Sequence, residues 1–291
     1  MKIDIFEPIS FCFGVENSIK MIKSAAISYS DKRIFCLGQP IHNEIVTKEL
    51  ENIGICVISA KPSEYESVVE ALPNDCVLIF SAHGHDQKLE DICVQKNIRI
   101  IDTICPIVKR IRTEILSDIS KGNEILYIGK NNHPESYAIV KISPLVKFWD
   151  ISSSFPVDFQ SNYSTVYNQT TILEDRLTPI YDEILKQKPN LNIKKTSCSF
   201  VNDRYEKLKS TINNEYDYVL IVGSKQSSNT IELYEKALQI HGNKKALLIS
   251  KAEDLDFLNK LDVKPQKIAI FSGTSAPSNL INEIYEILKQ L

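Results

Sequence analysis

The chain has 291 residues, of which 43% are hydrophobic and 24% are charged. This composition is sufficient for packed cores, and it excludes disorder, collagen-like repeats and low complexity as descriptions of the whole chain. The formal net charge of -3 argues against a protein that binds nucleic acid, because such proteins usually present a basic face.

Short apolar segments typical of β-strands recur along the chain, and segments with helical periodicity separate them. Eleven strands are predicted, at Lys2–Phe6, Arg33–Leu37, Ile55–Ile58, Val77–Phe80, Arg99–Ile101, Glu124–Ile128, Val146–Trp149, Ser164–Tyr167, Tyr218–Val222, Ala246–Ile249 and Lys267–Phe271. Several of these segments are wholly apolar, as strands covered on both faces are. The alternation of strands and helices indicates an α/β fold with mainly parallel sheets.

The predicted strands form three groups, which separate near residues 103 and 195. We therefore expect three small α/β domains, at residues 1–103, 104–195 and 196–291. No apolar stretch approaches the ~20 residues of a membrane span, and the charged segment after Met1 does not look like a secretory signal. A cytoplasmic protein with reduced cysteines is expected.

The seven cysteines fall into two groups. Four are predicted to be small core residues in apolar strands or a helix: Cys36, Cys56, Cys76 and Cys93. The other three are equally spaced, one in each predicted domain, at loop or helix-start positions: Cys12, Cys105 and Cys198. Three converging thiolates would suit an iron–sulfur cluster, which four cysteines normally hold, and would leave one iron open. Separate capping and core roles for the three cysteines are the alternative.

Polar segments follow most of the predicted strands. They are Ser10–Gly14, Gln39–Asn43, Ser81–His85, Asp102–Pro106, Asn131–Glu135, Asn168–Thr171, Gly223–Thr230 and Ser272–Pro277. Ligand sites of open parallel sheets form beyond the carboxyl ends of the strands. Any one of these segments can be explained as the cap of the following helix, but eight together favour a shared polar site.

These segments resemble the motifs of the 4-hydroxy-3-methylbut-2-enyl diphosphate reductases, which catalyse the last step of the methylerythritol phosphate route to isoprenoids. Nine motifs match in order over almost the whole chain: Phe11-Cys12-x-Gly14-Val15, His42-Asn43, Ser81-Ala82-His83-Gly84, Asp102-Thr103-x-Cys105-Pro106, His133-Pro134-Glu135, Gln169-Thr170-Thr171, Cys198, Gly223-Ser224-Lys225-x-Ser227-Ser228-Asn229 and Gly273-x-Ser275-Ala276-Pro277. No single motif is specific, but their order and separations together are.

The resemblance implies three α/β domains in a pseudo-threefold arrangement around a central cluster cavity. It also implies an oxidoreductase whose four-iron, four-sulfur cluster is held by Cys12, Cys105 and Cys198. The unique iron of this cluster would bind the allylic oxygen of the substrate. Two electrons and two protons would enter, water would leave, and a mixture of isopentenyl diphosphate and dimethylallyl diphosphate would result. A ferredoxin or flavodoxin is the expected electron donor.

The resemblance also implies roles for the polar residues. Glu135 matches the proton-delivering carboxylate, Thr170 lies beside the hydroxymethyl end of the substrate, and His133 is the third histidine of the pocket. The expected diphosphate ligands are His42, His83, Ser227, Asn229 and Ser275, with Ser228 as a neighbour in the same loop. His85 has none of these roles and is expected to be an exposed residue at a helix start.

The sequence departs from the family pattern in two places that concern the site. Ser136–Val140 replaces the usual Gly- and Thr-containing turn after Glu135, and the segment after Cys198 retains only an arginine, Arg204. Two other functions remain open at this point. A redox-sensing cluster protein without turnover would need the three cysteines alone, and a cluster-free module that binds a phosphorylated metabolite would need the polar loops alone.

Overall fold

The computed structural model describes residues 1–154, 163–211, 215–242 and 245–290. The strands in these ranges are β1 (Lys2–Ile5), β2 (Ile34–Leu37), β3 (Ile55–Ile58), β4 (Val77–Phe80), β5 (Arg99–Asp102), β6 (Glu124–Gly129), β7 (Val146–Asp150), β8 (Tyr163–Asn168), β9 (Asn192–Ile193), β10 (Tyr218–Val222), β11 (Ala246–Ile249) and β12 (Lys267–Ser272). All eleven predicted strands are confirmed, with ends that differ by no more than one residue.

Helices connect these strands. They are α1 (Phe13–Ser28), α2 (Glu44–Asn52), α3 (Tyr65–Ala71), α4 (Gln87–Gln95), α5 (Pro106–Ser120), α6 (Pro134–Val140), α7 (Glu174–Gln187), α8 (Ser199–Thr211), α9 (Ser228–His241) and α10 (Ser278–Gln290). Short 3₁₀ helices occupy Pro62–Glu64 and Ala252–Lys260. Among the described residues, no helix is both long and apolar enough to cross a membrane.

The strands form three four-stranded sheets, and the recorded pairings in all three are parallel. Their strand orders are β1-β12-β10-β11, β3-β2-β4-β5 and β7-β6-β8-β9. The predicted fold class, three α/β units with parallel sheets, is confirmed. The strand β9 was not predicted because two residues are too few to show an apolar pattern; it exists through its pairing with β8.

By internal packing the chain divides into two compact units. The first unit contains residues 1–15, 41–46 and 198–291, and the second contains residues 16–40 and 47–197. The sheet that contains β1 lies in the first unit, where β1 pairs with β12. A grouping by sheet therefore places β1 with the C-terminal strands. Each of the predicted domains, in contrast, is a single contiguous segment of the sequence.

The first unit has its core on the sheet β1-β12-β10-β11. Val222 and Ile270 of this sheet pack with Leu280 and Ile284 of α10. Leu280 and Ile284 recur at helical spacing, so one face of α10 is apolar and lies against the sheet.

In the second unit, the sheet β7-β6-β8-β9 carries a core on each face. Leu126 and Ile128 point to the side of α7, whereas Tyr127 points to the opposite side, where it packs with Ile111 and Ile115 of α5. This alternation follows from the two-residue period of side chains along a strand. Ile111 and Ile115 lie one helical turn apart, so one face of α5 is apolar and lies against the sheet.

The core role predicted for four cysteines is confirmed for three of them. Cys36, Cys76 and Cys93 are buried, but Cys56 is exposed. Cys56 lies on β3, which is an edge strand of its sheet. The apolar run Ile55–Ile58 does not reveal that one of its side chains is uncovered.

Candidate active site

In the first unit, most of the predicted site residues lie on loops and helix starts that follow β1, β10 and β12, or in the 41–46 segment, and Cys198 lies directly before α8. They are Cys12, His42, Cys198, Ser227, Ser228, Asn229 and Ser275. Parallel pairing places the carboxyl ends of these three strands at the same edge of one sheet. This is the location at which open parallel sheets bind ligands.

The N-terminus of α9 carries three of these residues. Ser227 is the N-cap, and its Oγ accepts a hydrogen bond from the backbone N–H of Thr230 at 3.3 Å. Asn229 is buried, and its Oδ1 accepts from the backbone N–H of Thr274 at 2.7 Å. The capping alternative is therefore correct for Ser227, while the helix N-terminus itself favours an anion.

Ser275 is buried, and its Oγ has no hydrogen-bond partner in the described structure. A buried hydroxyl without a partner is destabilising, so a polar ligand at this position would provide the hydrogen bond that the protein does not provide. The backbone carbonyl of Ser275 accepts from Asn43 Nδ2 at 3.0 Å. Burial lowers the pKa of the neighbouring His42 and favours its neutral imidazole.

The loop after β12 passes close to α9 at Gly273. A Cβ atom at this position would lie 3.1 Å from the Cβ and 3.2 Å from the Cα of Thr230. Because such distances are tighter than ordinary contacts, glycine permits the approach that joins Thr274 to Asn229.

Cys12 and Cys198 lie in the same unit, and both are half-buried and outside any disulfide. The backbone N–H of Cys12 donates to the carbonyl of Thr274 at 3.2 Å. The carbonyl of Cys198 accepts from Val201 at 3.0 Å, so the cysteine directly precedes the first turn of α8. Backbone contacts therefore fix both cysteine positions.

Arg204 of α8 is a buried cation near these two cysteines. Its guanidinium donates to the carbonyl oxygens of Ser10 and Phe200, and its Nε has no hydrogen-bond partner in the described structure. Burial lowers the pKa of Arg204, whereas the proximity of Cys12 and Cys198 acts in the opposite direction. A group with thiolate ligands and negative charge fits beside this buried cation.

In the second unit, the predicted site residues are His83, Cys105, His133, Glu135 and Thr170. Cys105 is half-buried at the start of α5 and forms no disulfide. Its backbone N–H donates to the carbonyl of Ala82 at 3.0 Å. Thr103 holds the same segment, because its Oγ1 donates to the carbonyl of Phe80 at 2.7 Å and accepts from Ser18 Oγ at 2.8 Å.

Glu135 and Thr170 are in direct contact. The backbone N–H of Thr170 donates to Oε1 of Glu135 at 2.8 Å, and Thr170 Oγ1 donates to Oε2 at 2.6 Å. Both residues are buried, Glu135 with only 2% of its surface exposed. Burial raises the pKa of Glu135, and the hydrogen bonds from Thr170 and Tyr127 oppose this rise without cancelling it.

Tyr127 is the second residue that contacts the carboxyl group, and the sequence analysis does not predict this contact. The Tyr127 hydroxyl donates to Oε1 of Glu135 at 3.0 Å from the neighbouring strand β6. A tyrosine within the apolar run of β6 is indistinguishable from a core residue in the sequence. His133, in contrast, lies where the motif predicts: it is the N-cap of α6, and its Nδ1 accepts from the backbone N–H of Glu135 at 3.2 Å.

The two predicted histidines of this unit also meet. The rings of His83 and His133 make an edge contact, with their centroids 5.2 Å apart. The contact joins the loop after β4 to the start of α6, and therefore brings two of the predicted ligand motifs together.

Asn168 anchors the loop that carries Thr170. Its Oδ1 accepts from the Tyr181 hydroxyl at 2.7 Å and from the backbone N–H of Thr196 at 2.9 Å, while its Nδ2 donates to Ser197 Oγ at 2.9 Å. Asn168 is completely buried, so these contacts satisfy an amide that is otherwise costly to bury.

His85 differs from the sequence prediction, which was an exposed residue at a helix start. It is 4% exposed, stacks on Phe80 with ring centroids 3.7 Å apart, and contacts Glu90 Oε1 through Nε2 at 2.8 Å. The error arose because the polar sequence around His85 does not show that its ring folds back onto the strand β4.

The comparison with known proteins extends over the whole chain. The family model described as LytB protein matches residues 3–289. A 4-hydroxy-3-methylbut-2-enyl diphosphate reductase from Caldanaerobacter subterraneus subsp. tengcongensis is 30% identical over 297 residues, which cover 100% of this chain and 98% of the relative. The reductase of the same name from Wolbachia sp. subsp. Brugia malayi is 30% identical over 302 residues, with coverages of 99% and 92%.

Two solved structures share the fold. The E-1-hydroxy-2-methyl-but-2-enyl-4-diphosphate reductase from Plasmodium falciparum has a TM-score of 0.83 and 23% identity, and covers 98% of this chain and 87% of that chain. A second structure, of (E)-4-hydroxy-3-methyl-but-2-enyl diphosphate reductase, has a TM-score of 0.67 and 23% identity, and covers 100% of both chains. The match of the family model and the two relatives with 30% identity show that the chain belongs to the LytB family of 4-hydroxy-3-methylbut-2-enyl diphosphate reductases.

Proposed function

We propose that this chain reduces 4-hydroxy-3-methylbut-2-enyl diphosphate to isopentenyl diphosphate and dimethylallyl diphosphate. In this reaction the allylic C–O bond breaks, two electrons and two protons enter, and the hydroxyl group leaves as water. The observation that carries the proposal is the buried pair of Glu135 and Thr170, in which an acid with a raised pKa contacts a hydroxyl group at the family's proton-donor motif.

The pair is suited to deliver a proton to a departing oxygen. Hydroxide is a poor leaving group, and a positioned carboxylic acid eases its departure by protonating it. Burial of Glu135 favours the protonated acid. A hydroxyl group both accepts and donates, so Thr170 Oγ1 is able to accept a hydrogen bond from Oε2 of protonated Glu135 and to donate its own proton onward.

The diphosphate of the substrate is proposed to bind the loops that carry the polar residues His42, His83, Ser227, Ser228, Asn229 and Ser275. The start of α9 supports this role because a helix N-terminus favours an anion. The buried Oγ of Ser275 supports it because it has no hydrogen-bond partner in the described structure. His133 is proposed to complete the pocket beside Glu135.

We further propose that Cys12, Cys105 and Cys198 are the ligands of a four-iron, four-sulfur cluster. The three residues have half-buried thiols that form no disulfide, and Arg204 provides a buried positive charge near two of them. Such a cluster would supply the two electrons and an open iron with Lewis-acid character. A ferredoxin or flavodoxin is the proposed electron donor, and a reducing, cytoplasmic location suits thiols that form no disulfide.

Two other functions remain as outcomes of the test. A redox-sensing cluster protein would have no use for the Glu135–Thr170 pair, and a cluster-free phosphate-binding module would have no use for the three half-buried cysteines. The proposed reductase uses both sets of residues.

Anaerobic purification followed by cluster reconstitution tests the proposal. We expect a brown protein that contains iron and acid-labile sulfide, and loss of most of this iron in each of the variants Cys12→Ser, Cys105→Ser and Cys198→Ser. Cys56→Ser is the matched control, because Cys56 is exposed on a strand, and it should retain its iron. A colourless protein without iron after reconstitution would contradict the proposed cluster.

A further inference from the structure

The two carboxyl oxygens of Glu135 have different hydrogen-bond partners. Oε1 accepts from the backbone N–H of Thr170 at 2.8 Å and from the Tyr127 hydroxyl at 3.0 Å. Oε2 contacts the Thr170 hydroxyl at 2.6 Å. One oxygen therefore has two donors, and the other has a partner that is able to accept as well as donate.

This asymmetry bears on which oxygen carries the proton of the acid. A backbone N–H can only donate, so a proton on Oε1 would have to compete with it. The Tyr127 hydroxyl strengthens this bias as long as it remains a donor. On Oε2, by contrast, a proton points at a hydroxyl oxygen that is able to receive it.

We propose that Tyr127 is a positioning residue that directs the proton of Glu135 to Oε2, the oxygen in contact with the Thr170 hydroxyl. The inference rests on the proposed function, in which Glu135 delivers a proton through Thr170. It adds a residue from the strand β6 to a site that the family motifs describe by His133-Pro134-Glu135 and Gln169-Thr170-Thr171 alone.

The surroundings of Tyr127 keep it in place as a donor. Its side chain is completely buried and packs with Ile111 and Ile115 in the core under α5. Burial, followed by the nearby charge of Glu135, raises the pKa of Tyr127 well above its ordinary value, so the hydroxyl keeps its proton over the working pH range. Ser136 lies beside the Tyr127 hydroxyl, within the segment that departs from the family pattern.

The titratable groups that face Glu135 in the described structure are consistent with this role. Tyr127 faces it from β6, and His133 contacts its backbone from the start of α6. The ring of His83 contacts the ring of His133. Among these groups, Tyr127 is the one whose side chain contacts the carboxyl oxygens.

The variant Tyr127→Phe tests the proposal, because it removes the hydroxyl and retains the buried ring. Tyr167→Phe is the matched control: Tyr167 lies in the same core, and its hydroxyl donates to Asp118 instead, at 2.8 Å. Two measurements apply to the full chain after anaerobic reconstitution. One is the infrared C=O band of protonated Glu135, assigned by its loss in Glu135→Gln and followed over pH; the other is the pH profile of turnover.

In Tyr127→Phe, we expect the C=O band to shift and its titration midpoint to move to higher pH, since the ionised form loses a donor. The falling alkaline limb of the turnover profile should move in the same direction. We expect kcat to fall by up to about tenfold, as loss of one hydrogen bond to the protonated acid implies, with the KM for the diphosphate substrate unchanged. Tyr167→Phe should leave the band, the midpoint and the profile as in the wild type.

An unchanged infrared band and midpoint in Tyr127→Phe would overturn the inference, as would an equal change in Tyr167→Phe. The infrared titration reads Glu135 whether or not the protein turns over. A protein without reductase activity would therefore contradict the proposed function, while the band of Tyr127→Phe would still decide whether Tyr127 positions the proton.

Discussion

Thr170 donates two hydrogen bonds to the same buried carboxyl group, from its backbone N–H to Oε1 of Glu135 and from its hydroxyl to Oε2. The first contact fixes the position of the acid, and substitution of the side chain does not remove it. The second contact is chemically reversible, because a hydroxyl is able to act as donor or acceptor. The two contacts therefore separate placement of the acid from transfer of its proton.

The substitution Thr170→Val tests this separation. Valine keeps the shape and the backbone N–H but removes the hydroxyl that contacts Oε2, so we expect kcat to fall by roughly 10²-fold, the lower end of what general acid catalysis contributes. Thr170→Ser retains a hydroxyl and should retain most of the activity. Steady-state turnover of the two reconstituted variants is the measurement, and equal activity of the valine variant and the wild type would exclude a relay through Thr170.

The raised pKa of Glu135 predicts a pH dependence of stability. The folded protein holds this proton more firmly than the unfolded chain does, so the stabilisation is complete below the ordinary glutamate pKa of about 4.3 and is lost as pH rises through the folded-state pKa. Glutamine resembles the protonated acid and does not titrate. Urea unfolding should show the wild type losing stability relative to Glu135→Gln as pH increases. The difference in the free energy of unfolding between the wild type and Glu135→Gln should therefore change with pH. A difference that is the same at every pH, or a wild type that gains stability relative to Glu135→Gln as pH increases, would contradict a buried acid with a raised pKa.

A substitution at Gly273 provides a steric test of the loops that are proposed to bind the diphosphate. An alanine Cβ would crowd Thr230 of α9, and such overpacking typically costs about 1–3 kcal/mol. Gly273→Ala should therefore lower the free energy of unfolding and raise the KM for the diphosphate substrate, since Asn229 lies next to Thr230. The double variant with Thr230→Ala should recover part of the stability, because it removes the crowded hydroxyl group. An additive double variant would show that the two residues do not interact.

The sequence predicted the backbone framework of the site well. Apolar runs such as Val77–Phe80 and Tyr218–Val222 identify strands directly because parallel strands are covered on both faces. Polar loops that follow such strands are then placed by topology. For this reason the loops and helix starts that carry Glu135, Thr170 and Asn229 were predicted from the sequence.

Contacts that depend on the direction of a side chain were not predictable in this way. Tyr127 contacts Glu135 because β6 and α6 pack together, and a tyrosine within an apolar strand is indistinguishable from a core residue in sequence. The same limit explains two wrong predictions, since His85 is buried against Phe80 and Cys56 is exposed on an edge strand. Which face of an element is covered is decided by the tertiary structure.

The central claim is that this chain is a reductase of 4-hydroxy-3-methylbut-2-enyl diphosphate. The most direct test is the oxidation of a reduced viologen dye by the anaerobically reconstituted chain, with and without this substrate, followed by chromatography of the products. We predict substrate-dependent oxidation that yields isopentenyl diphosphate and dimethylallyl diphosphate, and that falls by about 10²-fold or more in Glu135→Gln. An iron-loaded protein that oxidises the dye at the same rate with and without the substrate would contradict the account.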